Sequence, residues 1–191
     1  MQLRPLLILC AAALSVQFAR ADVLFDQSNI TTGIGNGFNG ANTSAIAANS
    51  ASFGYTNNST PTSGLNYQLA EDFSLSAQSL ISSIVFYSYS TSTYPSPPTS
   101  PFTGATLNIW NAQPGTAGAA VIFSSSTLAM TAWTGVYRVQ TTTLTNAQRP
   151  VFSLTMSFAN ISLAAGTYWA AWTVTGVAAP GNPASVFNPP L

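Results

Sequence analysis

The alternation of apolar and polar residues with a period of two is the feature that most constrains the fold. Phe152, Leu154 and Met156 alternate with polar residues, a pattern typical of a strand with one buried face. Similar patterns, rich in β-branched and aromatic residues, predict strands at residues 23–26, 67–75, 81–89, 106–110, 119–124, 127–133, 135–142 and 167–175. No stretch after residue 21 shows helical periodicity with caps. We therefore predict an all-β fold: a jelly-roll-like antiparallel β-sandwich, or one that lacks a terminal strand.

Three segments of different composition divide the chain. Residues 1–21 are organised like a signal peptide, with a basic residue before the apolar run Leu6–Val16 and small residues ahead of a cleavage site after Ala21. The run is shorter than the about 20 residues of a membrane-spanning helix, so we expect no membrane span after cleavage. Residues 22–176 form the predicted sandwich domain, and the proline-rich residues 177–191 a linker or tail. The expected location is secreted, extracellular or at the cell surface.

The segment after the predicted cleavage site lacks most side chains that catalysis uses. Residues 22–191 contain no His, Lys or Cys, and their only cations are Arg138 and Arg149. A Ser nucleophile would lack its usual base, and a zinc ion would lack its usual ligands. Two arginines also neutralise few phosphates. We therefore expect no enzymatic activity and no binding of nucleic acid.

Two adjacent carboxylates, Glu71 and Asp72, lie in a predicted strand. Neighbouring side chains of a strand point to opposite faces, so these two cannot act together as a glycosidase pair. Glu71 shares its predicted face with Phe73 and Leu75, and a carboxylate on a core face needs a partner. A β-bulge would place Asp72 on that face instead. We predict that the inward carboxylate is held by hydrogen bonds or by a structural ion pair between Glu71 and Arg138. The alternative is a structural Ca²⁺ site built by Glu71 and Asp72 with backbone and Asn oxygens, and no other cofactor is expected.

Aromatic residues are candidates for carbohydrate binding, because their rings stack on sugars. Trp110 and Trp169 fall on the more polar faces of their strands, and Tyr87 and Tyr89 alternate with Ile84 and Phe86. We predict these two Trp and two Tyr as sugar contacts. The alternative is that the aromatic residues fill the core between two sheets.

The predicted surface is rich in hydroxyl and amide groups and poor in charge. Only 4% of the chain is charged, so there is little charge repulsion to keep copies apart. Five Asn-x-Ser/Thr sequons are candidate glycosylation sites in a host with the machinery, at Asn29, Asn42, Asn57, Asn58 and Asn160.

Four short motifs carry a resemblance to known proteins. They are Ala70-Glu71-Asp72-Phe73, Leu107-Asn108-Ile109-Trp110, Gly135-Val136-Tyr137-Arg138 and Ala165-Gly166-Thr167-Tyr168-Trp169. In order and spacing they resemble a group of secreted bacterial proteins, mostly uncharacterised, that often carry a C-terminal surface-sorting tail such as the PEP-CTERM type. The resemblance spans about residues 22–176 and implies a jelly-roll-like extracellular domain without an assigned activity. Asn111 and Ala171 stand where the group tends to have acidic residues.

That group also tends to continue into further strands, whereas this chain stops at Leu191. We expect either a truncated protein or a sandwich without a terminal strand. A missing strand would expose an edge that invites pairing with another chain.

Two functions therefore stay open at this point. The first is a non-catalytic structural or adhesive domain at the cell surface that associates with itself, as a homo-oligomer or filament, through an open strand edge. The second is a carbohydrate-binding module for surface glycans. A solvent-exposed cluster of Trp and Tyr would favour the second, and interior aromatics with a bare strand edge would favour the first.

Overall fold

The described part of the chain consists of β-strands and the loops that connect them, with one short 3-10 turn. The computed structural model describes residues 22–27, 29–50, 52–57, 59–60 and 65–177. Within these ranges the strands are β1 (Asn42–Ile46), β2 (Ser59–Thr60), β3 (Leu65–Asn66), β4 (Leu69–Leu75), β5 (Ser79–Tyr89), β6 (Phe102–Trp110), β7 (Val121–Ser125), β8 (Leu128–Gln140), β9 (Pro150–Leu163) and β10 (Gly166–Gly176). One 3-10 turn, Phe38–Gly40, precedes β1. The predicted signal peptide, residues 178–191 of the predicted tail and Asn58 lie outside the described residues.

Eight of these strands form two four-stranded sheets that pack face to face. Sheet I has the order β1-β8-β9-β5, and sheet II has the order β4-β10-β6-β7. The predicted all-β sandwich is confirmed. Neighbouring strands are antiparallel except β1 and β8, which run parallel. Among the described residues, no helix has the length and hydropathy of a membrane span.

The core lies between the two sheets and follows the predicted alternation. Phe152, Leu154 and Met156 of β9 are fully buried. From opposite sheets, Phe86 of β5 and Trp172 of β10 stack with ring centroids 5.4 Å apart. Each such side chain stabilises the fold by about 1.5–3 kcal/mol when it is fully removed from water.

Three of the predicted strands form differently. The segments 127–133 and 135–142 are one continuous strand, β8, rather than two. Gly135 lies between them with φ of 78°, which glycine adopts without strain, and the register with β9 shifts there, so the strand is disrupted locally but does not end. No strand forms at residues 23–26, where the pattern predicts one: residues 22–27 belong to neither sheet.

The sandwich is open along one side. Within the described ranges, β4 is the edge of sheet II and pairs only with β10, and β5 is the edge of sheet I and pairs only with β9. Residues 76–78 connect β4 to β5 and so cross from one sheet to the other. Two unpaired strand edges therefore border the same side of the sandwich and are covalently joined at one end.

Candidate functional site

A groove of about 600 Å³ runs along this open side. Its walls come from both sheets, and its apolar lining includes Phe73, Leu75, Ile81, Phe86 and Trp172. Residues 80–87 of β5 line the groove without interruption. Since alternate side chains of a strand point to opposite faces, a wall of consecutive residues is the hydrogen-bonding edge of the strand. We call this feature the edge groove.

Large apolar side chains stay in solvent around the edge groove. They are Val23, Leu24, Phe25, Leu80 and Val85. Val23 is 79% exposed and Leu80 is 63% exposed. Soluble proteins usually protect a sheet edge with charges or prolines, and β5 contains neither. Clustered apolar exposure beside a bare edge marks a surface for interaction.

Residues 22–27 also line the edge groove. The Phe25 ring lies 6.3 Å from the Phe73 ring of β4, centroid to centroid. The segment nevertheless adds no strand to either sheet. It therefore covers part of the apolar lining and leaves the backbone edges unpaired by any strand among the described residues.

All four carboxylates of the chain line the edge groove: Asp22, Asp26, Glu71 and Asp72. Glu71 lies opposite Ala170 on the core-facing side of β4, and Asp72 lies opposite Trp169 on the outer side. Both are exposed, because β4 is an edge strand. Across the described ranges, no group of three or more His, Cys, Asp or Glu side chains is placed to hold a metal ion. The structure does not bring Glu71 and Asp72 together on one face, and the Ca²⁺ site stays a prediction.

The predicted ion pair between Glu71 and Arg138 does not form. Arg138 lies in sheet I, where its Nε donates to the Phe53 carbonyl at 3.1 Å and its Nη1 donates to Ser44 Oγ at 2.9 Å. Burial lowers the pKa of Arg138 below its usual value. The prediction was wrong because it assumed that Glu71 is buried. A core-facing residue on an edge strand still reaches water and needs no counter-ion.

Tyr89 lies in a small cluster with the two arginines, on the outer side of sheet I. The Arg149 guanidinium carbon lies 3.6 Å from the centroid of the Phe53 ring. Tyr89 is only 1% exposed, and its buried hydroxyl has no hydrogen-bond partner among the described residues. Burial raises the pKa of Tyr89, and the positive charges of Arg149 and Arg138 partly oppose the rise. Because its ring is not accessible, Tyr89 is removed from the predicted sugar contacts.

The other predicted sugar contacts do not form one platform. Trp110 and Trp169 are directly opposite each other on the outer face of sheet II, and both are half-buried. Tyr87 is in sheet I and lines the edge groove. The Trp110 indole N–H is buried, and no described residue accepts a hydrogen bond from it. Two separate aromatic sites thus replace the predicted cluster.

A different group of aromatic residues lines a shallow pocket of about 460 Å³. The Tyr137 ring centroid lies 6.2 Å from that of Phe38 and 5.7 Å from that of Trp133. Polar groups of Asn39, Asn42 and Ser96 complete the lining, and no charged residue takes part. We call this feature the aromatic pocket.

Sequence reasoning missed the aromatic pocket. Trp133 and Tyr137 alternate like core residues, and Tyr137 is indeed buried. Phe38 carries a different signal, because it is an aromatic residue in a segment of Asn and Gly without a strand pattern. Only the tertiary fold brings that segment to β8.

The predicted glycosylation sites differ in accessibility. Asn57 is 0% exposed, so the folded chain leaves no room for a glycan there, and this prediction was wrong. Asn29 and Asn160 are exposed and Asn42 is half-buried. These three stay candidate sites.

No family model, curated protein or solved structure matches this chain. The resemblance to secreted bacterial proteins therefore stays a prediction.

Proposed function

We propose that this protein is a secreted, non-catalytic β-sandwich with a structural or adhesive role outside the cell, which associates with itself through the edge groove. The observation that carries the proposal is the pair of unpaired strand edges, β4 and β5, bordered by exposed apolar side chains. A bare edge accepts an extended segment by backbone hydrogen bonding, and apolar neighbours add affinity.

The energetics favour an interface that uses both contributions. Burying one Val or Leu side chain fully is worth about 1.5–3 kcal/mol. Association costs about 4–15 kcal/mol in lost rigid-body freedom, so a few apolar contacts alone do not suffice. Pairing along residues 80–87 adds a ladder of backbone hydrogen bonds to them.

Charge opposes association only weakly. Two arginines against four carboxylates give residues 22–191 a formal charge of −2. A surface so poor in charge does little to keep copies apart. The same residues contain no His, Lys or Cys, which supports a role without catalysis.

Light scattering on size-exclusion fractions of residues 22–191, over a range of concentrations, tests the proposal. We expect the mass to rise with concentration. A monomer mass at every concentration would contradict self-association.

The aromatic pocket favours carbohydrate binding as a second candidate function. The half-buried rings of Phe38 and Trp133, beside amide and hydroxyl groups and without a charged residue among the described lining, suit a neutral sugar. A glycan array with and without Ca²⁺ tests this candidate, with Phe38→Ala as the pocket variant and Trp169→Ala as the control outside the pocket. Loss of binding in Phe38→Ala alone would support the pocket. Loss in Trp169→Ala alone would move the site to the Trp pair on sheet II.

A further inference from the structure

We infer that Arg138, Arg149 and Tyr89 form a binding site for one doubly charged oxyanion of the sulfate or phosphate type, on the outer face of sheet I. None of these three residues lines the edge groove or the aromatic pocket. The site is therefore a further one, and it does not depend on the proposed self-association.

The register of sheet I brings the three side chains to one face. Tyr137 of β8 is opposite Pro150 of β9. Since these strands are antiparallel, the next pair is Arg138 and Arg149, and the Arg138 backbone N–H donates to the Arg149 carbonyl at 2.8 Å. Tyr89 of β5 is opposite the residue two positions after Arg149, so it lies on the same face. Side chains of directly opposite residues begin only about 4.5–5.5 Å apart.

Two positive charges thus lie side by side without a carboxylate. Like charges directly opposite each other on neighbouring strands are destabilising. All four side-chain carboxylates of the chain line the edge groove instead. Within the described ranges, the electrostatic neighbour of both arginines is Tyr89, and burial lowers the pKa of Arg138 and of Arg149. An anion between the two guanidinium groups would offset both the repulsion and the burial.

The cluster has hydrogen-bond donors that lack acceptors. Arg138 uses its Nε and Nη1 for the Phe53 carbonyl and Ser44 Oγ. For its Nη2 and for the guanidinium of Arg149, the described residues provide no acceptor. The Tyr89 hydroxyl is buried without a partner among the same residues. Arginine has no acceptor atom, so an oxyanion is the group that satisfies all three side chains at once.

The arrangement of the donors suits a single small anion. The two arginines are half-buried and reach solvent, whereas Tyr89 is enclosed, so the arginines form the entrance of the site and the hydroxyl its floor. The Phe53 ring beside Arg149 helps to fix that guanidinium. An arginine fork matches the oxygens of sulfate or phosphate. Two cations neutralise one dianion, whereas a nucleic acid backbone requires many more.

Side-chain NMR of the arginines tests the site. Residues 22–191 contain every described strand and only two arginines, so the arginine Nε–H region of a proton–nitrogen correlation spectrum holds two signals. Sodium sulfate and sodium phosphate are added in separate titrations, and sodium chloride keeps the ionic strength constant. We expect both signals to shift together and to reach a plateau with the same Kd. Sodium acetate, which carries one charge per anion, should bind more weakly.

Two tyrosine variants separate a binding role from a structural one. Tyr89→Phe removes only the hydroxyl and should raise the Kd for the anion about tenfold, because a hydrogen bond to a charged group is lost. Tyr94→Phe is the matched control, since the Tyr94 hydroxyl donates to the Ser90 carbonyl instead, and it should leave the Kd unchanged.

Two variants of Arg149 test the contribution of the second cation, read from the signal of Arg138. Arg149→Gln removes the charge and should raise the Kd by more than Tyr89→Phe does. Arg149→Lys keeps the charge without the planar fork, and its Kd should fall between those of Arg149→Gln and the wild type.

The wild-type titration needs no variant, so it decides the question even where a variant does not fold. Signals that drift without a plateau, or that respond to acetate as strongly as to sulfate and phosphate, would overturn the proposed site. A plateau for one arginine alone, or an equal Kd in Tyr89→Phe and Tyr94→Phe, would overturn the joint role of the three residues.

Discussion

Replacing the exposed apolar residues of β5 by threonine is expected to weaken self-association without unfolding the protein. The double variant Leu80→Thr/Val85→Thr keeps residues that favour strands and introduces no charge. Leu80 is 63% exposed and Val85 is 47% exposed, so about half of each side chain is left to be buried on association. With about 1.5–3 kcal/mol for full burial, the loss is about 2 kcal/mol, or about thirtyfold in Kd.

Folding stability should change much less than association. Surface substitutions away from special contacts usually change the free energy of unfolding by less than about 0.5 kcal/mol. Chemical denaturation at low concentration measures this free energy, and light scattering over a concentration series measures association.

A matched control separates the edge groove from general surface hydrophobicity. Val121 and Ile122 of β7 are 41% and 45% exposed and lie at the other edge of sheet II. The variant Val121→Thr/Ile122→Thr should associate like the wild type. Equal weakening in both double variants, or no weakening in the β5 variant, would refute the assignment of the interface.

Three further predictions concern the fold around the site. Leu154→Ala empties a fully buried position and should lower the free energy of unfolding by about 2–5 kcal/mol in chemical denaturation. Arg138→Met leaves the Phe53 carbonyl without its side-chain donor and should lower the free energy of unfolding by about 1–3 kcal/mol. Glu71→Gln should change it by less than about 0.5 kcal/mol. An equal loss in both variants would support the ion pair between Glu71 and Arg138 instead. Burial raises the pKa of Tyr94 to about 12 from 10.0, so the unfolded chain releases this proton first. The contribution of Tyr94 to the free energy of unfolding is therefore fully present below pH 10 and is lost as the pH rises toward 12. In chemical denaturation between pH 10 and 12, Tyr94→Phe should lose less of its free energy of unfolding than the wild type.

Alternation predicted the strands and their buried faces, because burial between two sheets imposes a period of two. It placed Leu154 in the core and Trp169 on the outer face, and both assignments are confirmed. It failed for residues 23–26, since a pattern shows that a segment favours pairing but not that a partner is within reach. It also divided β8 at Gly135, where a change of register resembles the end of a strand.

The candidate sites were less predictable because they depend on sheet order. Glu71 was assigned correctly to the core-facing side of β4, but its exposure follows from the edge position of that strand. The edge groove brings together residues from the start of the described chain and from both sheets. A local sequence pattern does not predict the contact between Phe25 and Phe73, or that between Phe38 and Tyr137, because the residues of each pair are far apart in the sequence.

The connection between β4 and β5 makes the two ends of the edge groove different from each other. Residues 76–78 join its two walls at one end, close to Leu75 and Leu80. A peptide segment bound in the groove would not extend past this connection, so it would bind at the same position in every copy. Copies joined through the groove would then repeat at a regular spacing, which this three-residue connection would set.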